Sequence, residues 1–502
     1  MNLIEFIAEA ARRHGDRTAF QLGDRHLSFN DLDKLSNGLA KNLVGLGIQP
    51  GDRVALLLEN SPDFTVCYFG IIKAGAIAIP LDTKYKILEL KAVFDDCQPA
   101  AVIAEPAILK ALGGEFGKFD CLKKVIGMGE TEGVACTPFA SLIESADTPP
   151  QIAEYPELAH IAYTSGPTLR PHGAEITQNH LIEAAAGSAA GFGQNEADTV
   201  ILFALPLHHT IGIAVIMMTS LYAGSRVVIV CGMSMDAVLC SIEKERATIF
   251  HGVPFIYAML VNHIKANGIK FHIGTLRFCG SAGAPIPVKV ITDFEEFTGK
   301  NLIQFYGLTE STSHVTCQDV TKSGRSGGVG PAIPGFAIRV VDADGQDVAE
   351  GEPGEVIIKG PIMRAYHHRT ADTARFIRDG WLYTDDIGIV DEHGELFIKG
   401  VKKPMLITKG QNIYFSDIAD LLITHPSIAD AAASGMLDPD GMRGEVVLAV
   451  VKLKDGASMT EQEVKKYCLE RLANYKCPKK VLFVAEIPRK LDGQLAAFGL
   501  LD

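Results

Sequence analysis

Pairing signals for cysteine are missing from this sequence. Its ten cysteines, at 67, 97, 121, 136, 231, 240, 279, 317, 468 and 477, form no Cys-x-x-Cys and stand at no metal-ligand spacing from a histidine. That argues against a zinc ribbon or a disulfide scaffold, and reduced thiols in a cytoplasmic protein are the expectation. Basic excess is missing too. With 47 Lys+Arg against 60 Asp+Glu the net charge is -13, which argues against nucleic acid or an anionic membrane as the main partner. No apolar run approaches the ~20 residues that span a bilayer. The longest, 211–223, stops at Gly224-Ser225-Arg226 before Val227-Val228-Ile229-Val230, and reads as a buried helix followed by a buried strand. The opening 1–13 carries Glu5 and Glu9 within its apolar stripe, as an amphipathic helix does and a signal peptide does not. Internal repeats and low-complexity segments are absent.

What is present is a long globular chain. At 502 residues, 47% apolar and 21% charged, it has material for about three units of ~150 residues and large buried sheets. Short apolar runs at 53–58, 100–104, 160–164, 200–204, 227–230, 248–251 and 276–279 suit strands buried on both faces, as in parallel sheets. Their alternation with helical stretches such as 179–190 predicts layered α/β architecture. After Gly330 the texture changes. Runs at 336–342, 354–359, 387–391 and 395–399, broken by Asp344-Gly345, Gly351 and His393-Gly394, predict antiparallel hairpins. A last unit reads helix 416–422, strand 445–454, helix 460–472 and strand 480–483. Residues 400–502 hold 14 Lys/Arg and 13 Asp/Glu, which leaves -14 on 1–399. A lysine-bearing tail on an acidic body suits an anionic ligand such as CoA, or simply a solvated face.

One ordered series of motifs carries more information than any of this. Tyr163-Thr164-Ser165-Gly166 comes first, then Pro206-Leu207-His208-His209, then Gly280-Ser281-Ala282-Gly283-Ala284-Pro285. Gln304-Phe305-Tyr306-Gly307-Leu308-Thr309-Glu310 follows, then Trp381-Leu382-Tyr383-Thr384-Asp385-Asp386 and Gly400-Val401-Lys402-Lys403-Pro404. Each alone is weak. In this order they resemble the adenylate-forming superfamily of acyl-CoA synthetases, luciferases and nonribosomal peptide adenylation domains, across essentially the whole chain.

The resemblance implies a mixed α/β and α+β fold: a large N-terminal body of layered α/β sheets with a small β-barrel-like subdomain (1–399) and a small mobile α+β lid (400–502). It implies ATP/AMP, Mg²⁺ and CoA as cofactors, and a carboxylic acid and CoA or a carrier-protein thiol as partners, with an oligomer possible. Joining a carboxylate to the α-phosphorus of ATP brings two anions together, so such a site needs cations and oriented donors. By resemblance Thr164, Ser165 and Gly166 open the phosphate loop. Gly280, Ser281, Ala282, Gly283 and Ala284 lie against adenine, where missing side chains let the backbone approach. Tyr306 stacks on the base, with Gly307 behind it. Thr309 faces the α-phosphate, Glu310 the Mg²⁺, and Asp386 the ribose hydroxyls. His209, Gly212, His251 and Val253 line the acyl side, with His209 at the carboxylate. No metal is inferred from the His208-His209 pair, since adjacent side chains diverge and no third ligand is evident.

Several positions depart from the family's pattern. In 164–173, Pro167 replaces a threonine, Leu169 a glycine and His172 a lysine, so the loop loses a backbone donor and a fixed charge. Asp385 stands where a glycine normally precedes the ribose acid. Val401 and Pro404 replace an arginine and the hinge aspartate. Gln494 in Pro488-Arg489-Lys490-Leu491-Asp492-Gly493-Gln494 replaces the terminal lysine, and an amide carries no charge. Three readings are compatible with this: an acid–thiol ligase with impaired adenylation, a non-catalytic binder of AMP or an acyl adenylate, and a half-enzyme that performs thioester formation only. The matching architecture favours the first.

Overall fold

The computed structural model describes residues 1–129, 133–164, 171–312, 314–402, 405–408, 411–438 and 445–487. Runs of β-branched and aliphatic residues without polar alternation form strands covered on both faces. Ile77–Pro80, Ala101–Ala104, Thr199–Phe203, Ile249–Gly252 and Phe278–Ser281 are buried at every residue.

These strands lie in two sheets. The seven-stranded one runs Thr137–Pro138, Lys124–Gly127, Ala101–Ala104, Arg53–Leu57, Ile77–Pro80, Leu158–Thr164, His172–Thr177. The eight-stranded one runs Thr316–Cys317, Leu302–Tyr306, Phe278–Ser281, Ile249–Gly252, Thr199–Phe203, Arg226–Val230, Thr18–Leu22, Arg25–Ser28. Its interior pairs are parallel and its two edge pairs antiparallel. The expected helix–strand succession after residue 211 is present, as a π-helical segment Ile211–Met218, a short helix Thr219–Ala223 and the strand Arg226–Val230. The first helix, Leu3–His14, is capped reciprocally by Asn2 and Glu5 and buries Leu3, Phe6, Ile7, Ala10 and Ala11. No helix among the described residues is long and apolar enough to cross a membrane.

The third sheet is antiparallel, as its turn residues predict. Ala337–Val341, Gly354–Lys359, Trp381–Val390 and Ile377–Arg378 follow in order, with Leu396–Val401 also paired to Trp381–Val390. One strand is longer than its pattern. Trp381–Val390 starts six residues before the predicted 387 and takes in the 381–386 motif, because a bulge interrupts its alternation there.

The chain divides into two compact units, 1–83 with 97–162 and 173–400, and 84–96 with 163–172 and 401–502. In the second unit Ile428–Leu437, Glu445–Leu453 and Lys480–Phe483 form a sheet, flanked by the helices Phe415–Ile423 and Glu461–Leu469. Leu88 packs against the core of this unit, and Glu89 enters it as a buried charge whose Oε1 accepts from Lys476 Nζ at 2.9 Å.

Candidate active site

Four neighbouring parallel strands deliver most of the sequence-predicted residues. The loop with His209 and Gly212 follows Thr199–Phe203, while His251 and Val253 lie at the end of Ile249–Gly252. The small-residue segment Gly280, Ser281, Ala282, Gly283, Ala284 leaves Phe278–Ser281, and Gly307, Thr309 and Glu310 follow Leu302–Tyr306. Register sets His251 opposite Gly280, and Ser281 opposite both Gly252 and Gln304. The carboxyl ends of adjacent parallel strands are where an open α/β sheet ordinarily binds its ligand.

Tyr306 donates its hydroxyl to Asp386 Oδ2 at 2.5 Å, across 80 residues of sequence. A bulge aims Asp386 there. Glu355 pairs with Ile387 but Ile357 with Tyr383, so the 381–390 strand carries the excess residues around 384–386. Thr384 Oγ1 donates to the Val356 carbonyl at 2.7 Å and accepts the Asp386 amide at 3.0 Å, which satisfies groups the bulge takes out of the ladder. Asp385 sits at φ +60°, the left-handed region where glycine is comfortable, so the glycine that the family prefers has a backbone reason. The extra acid has the Arg375 guanidinium nearby, Nη2 lying 3.8 Å from its Oδ2, while its backbone amide donates to Glu355 Oε1 at 3.1 Å.

Burial drives the Asp386 carboxyl up to about 7. The Tyr306 hydrogen bond opposes that rise, and the charges of Glu310, Asp385 and Glu355 add to it. Burial likewise raises the Tyr306 phenol, helped by the neighbouring Asp386.

Thr309 and Glu310 lie on the 3₁₀ turn Thr309–Ser311, whose Leu308 amide donates to Ser311 Oγ at 2.8 Å. Glu310 is held twice: Oε1 accepts from the Tyr366 hydroxyl at 2.8 Å, and the backbone carbonyl from the Met363 amide at 2.7 Å. A carboxylate is the hard oxygen donor that would hold Mg²⁺ alongside nucleotide phosphates, and Glu310 could supply it.

The small-residue segment has packing reasons of its own. A Cβ at Gly280 would lie 2.7 Å from His251 Nδ1, and Gly283 has φ +84°. The Ser281 hydroxyl is buried with no hydrogen-bond partner among the described residues. His251 itself sits in a box of rings, with centroids 4.8 Å from Phe192, 5.4 Å from Phe305 and 5.9 Å from Phe278, and burial holds it down to about 3. That is the environment of a neutral core histidine. Val253, also buried, precedes the helix Pro254–Asn267.

The His209 loop is braced from outside. Asn60 Nδ2 donates to the Leu205 carbonyl at 2.7 Å and its Oδ1 accepts the Leu207 amide at 2.6 Å. Burial and the charge of His208 hold His209 down to about 4 despite Asp82, so it is neutral at pH 7. Its Nδ1 accepts the Ile211 amide at 3.3 Å. A Cβ at Gly212 would lie 2.2 Å from the Pro206 carbonyl oxygen, so this glycine lets the helix start beneath the loop.

Thr164 belongs to the second unit, where its hydroxyl donates to the His172 carbonyl at 3.2 Å. Ser165, Gly166, Pro167, Leu169, Pro404 and Gln494 lie outside the described residues. Sequence reasoning missed Tyr366 and Glu175. Glu175 accepts from Arg364 Nη2 at 2.7 Å and lies 2.7 Å from His367 Nδ1; burial opposes its charge, but these partners hold its carboxyl below the ordinary range. No local pattern marks either residue, since their partners are 56 to 192 positions away.

The model of the AMP-binding enzyme family matches residues 7–367, and that of the AMP-binding enzyme C-terminal domain matches 417–493. The chain belongs to the adenylate-forming, AMP-binding enzyme family. Relatives of this AMP-binding enzyme family member span its whole length. The long-chain-fatty-acid–CoA ligase of Bacillus subtilis is 29% identical over 530 residues, covering 100% of this chain and 94% of the relative. The indoleacetate–CoA ligase of Aromatoleum aromaticum is 32% identical over 503 residues, covering 99% and 96%. Among solved structures, the amide bond synthetase of Marinactinospora thermotolerans superposes with a TM-score of 0.87 at 25% identity, covering 99% of this chain and 98% of that one.

Proposed function

We propose that this chain is an AMP-forming ligase that activates a carboxylic acid as its acyl adenylate and passes the acyl group to a thiol, with adenylation slowed by loss of charge at the phosphate side. The observation that carries this reading is the contact of Tyr306 with Asp386, beside Glu310 held by Tyr366. Tyr306 and Glu310 come from one motif, Asp386 from another and Tyr366 from none, and together they suit a nucleoside with its phosphates alongside. Asp386 accepts ribose hydroxyls, Tyr306 and the 280–284 segment cover the base, and Thr309 and Glu310 face the phosphates. Mg²⁺ offsets phosphate charge when bound. His209, neutral and at the acyl side with Nδ1 accepting the Ile211 amide, carries its proton on Nε2 and would donate from there to the carboxylate. CoA as the thiol is supported by the two CoA-ligase relatives, the division at 1–399 and 400–502 with a mobile lid by the family resemblance, and a reducing, cytoplasmic setting by ten free cysteines.

The slow step follows from chemistry. Gln494 and His172 supply no fixed positive charge where two anions must meet, and preorganised charge is the largest lever on such a reaction. ATP–pyrophosphate exchange over a panel of short, aromatic and long-chain acids tests the reading, with AMP titration alongside. Exchange with any acid supports the ligase; the double variant Gln494→Lys/His172→Lys is expected to speed it by at least about tenfold. AMP binding without exchange in either protein, and no release of acyl-CoA from synthetic acyl-AMP plus CoA, overturns it in favour of a non-catalytic binder. Transfer from acyl-AMP without exchange points to the half-enzyme.

A further inference from the structure

The segment 361–367 bonds to two parts of the site at once. Toward the 309–312 turn it makes three hydrogen bonds: the Met363 amide to the Glu310 carbonyl at 2.7 Å, the Tyr366 hydroxyl to Glu310 Oε1 at 2.8 Å, and Thr312 Oγ1 to the Pro361 carbonyl at 2.6 Å. Toward the strand that follows the phosphate loop it makes more. The Glu175 amide donates to the Ala365 carbonyl at 2.9 Å, the Arg364 amide to the Glu175 carbonyl at 2.8 Å, and the His367 amide to the Gly173 carbonyl at 2.7 Å. Arg364 and His367 then close on the Glu175 carboxylate.

Tyr366 is the central piece of this splint. It is buried, its amide donates to Thr373 Oγ1 at 2.9 Å, and its ring meets Phe376 edge-on with centroids 5.7 Å apart. A side chain fixed at amide and ring can place its hydroxyl in one direction only. That hydroxyl is spent on one carboxylate oxygen of Glu310, which fixes the rotation of the carboxylate.

We propose that Tyr366 is a positioning residue for divalent-cation binding: its hydroxyl fixes the Glu310 carboxylate so that Mg²⁺ and the nucleotide phosphates meet it in a single orientation. This rests on the reading of Glu310 as the metal-facing acid. A partner that orients a ligating carboxylate acts on the metal's affinity without touching the metal. The adenosine part of the site rests on a separate contact, that of Tyr306 with Asp386.

The test is calorimetric binding of ATP to the full chain across a Mg²⁺ series, with AMP in the absence of metal as control, for the parent, Tyr366→Phe, Glu310→Gln and the double variant. Tyr366→Phe keeps the ring and its packing. It is expected to raise the Mg²⁺ concentration for half-maximal ATP binding by about tenfold, the low end of what an outer partner contributes to a metal ligand, with AMP affinity within about twofold. In the double variant the phenylalanine should add nothing to the effect of Glu310→Gln, because both act through one carboxylate. An unchanged Mg²⁺ midpoint in Tyr366→Phe overturns the proposal, as does an equal loss of AMP and Mg²⁺-ATP affinity, which marks a merely structural tyrosine. A Mg²⁺ midpoint insensitive to Glu310→Gln overturns the reading of Glu310 itself, and the proposal with it.

Discussion

Asp386 is a buried carboxylate with a hydroxyl already on it, and that combination fixes how the site should respond to pH. Its folded value of about 7 lies above the ordinary carboxylate value of 3.8. A raised value means that the folded state holds the proton more tightly, so the stabilisation is full below about pH 4 and is lost as pH climbs through 7. Asp386→Asn removes the ionisation. The variant should gain on the parent by a few degrees in melting temperature at pH 8 and by nothing at pH 4. Binding has the opposite slope. The ionised form is the stronger acceptor for ribose hydroxyls, so adenosine affinity of the parent should rise between pH 6 and 8 while that of Asp386→Asn stays level. Level affinity in the parent would separate Asp386 from the ribose. At pH 8, Asp386→Ala should cost adenosine binding about 1.5–3 kcal/mol, the worth of hydrogen bonds to a charged group.

At the scale of elements, two local irregularities position the candidate site. The bulge at 384–386 turns Asp386 toward Tyr306, and the π-helical start at Ile211 packs beneath the His209 loop. Gly212 separates its two possible roles. Family resemblance puts it on the acyl side, whereas the fold packs its α-carbon against Pro206 and Leu207. Gly212→Ala is expected to destabilise the chain by about 1–3 kcal/mol through overpacking, read from denaturant midpoints. A variant of parental stability with altered acid preference would instead make Gly212 a pocket residue. Many elements were legible: buried strands show as unbroken apolar runs, and the structure has a strand at every run named before residue 330, although short strands such as Ile77–Pro80 and Leu302–Tyr306 were not named. The 381–390 strand was cut short because a bulge has no periodicity to detect. Tyr366 was invisible because its partner lies 56 residues away.

The whole molecule is assembled from non-contiguous pieces. The second unit draws residues 84–96 and 163–172 to the C-terminal residues, and a buried charge cluster joins 84–96 to them. Glu89 accepts from Lys476 Nζ and from the Ala473 amide at 2.9 Å each, with Asp417 Oδ2 4.0 Å from the same ammonium. Both Glu89 and Lys476 are 3% exposed, so the pair is shielded from bulk solvent. Lys476→Met leaves buried carboxylates without their cation and should cost about 3–5 kcal/mol, whereas Glu89→Gln/Lys476→Met should recover part of that loss. Hydrogen exchange within 445–483 reads both. If the single variant exchanges like the parent, the cluster contributes no stability.

Sequence alone determined the family and the type of many elements, because apolar period and ordered motifs are properties of neighbours along the chain, but it named no strand at Ile77–Pro80, Leu302–Tyr306 or Ile428–Leu437. It also placed the residue types that nucleotide chemistry needs, and showed where Gln494, His172 and Asp385 depart from them. Tertiary structure decided the partnerships. That Asp386 is protonatable near neutrality, that His251 is a ring in a core, that Asp385 occupies a left-handed turn beside Arg375, and that Tyr366 holds Glu310 all depend on groups about ten to eighty residues apart. Burial and hydrogen bonding set those properties, and both are functions of distance in space rather than distance along the chain.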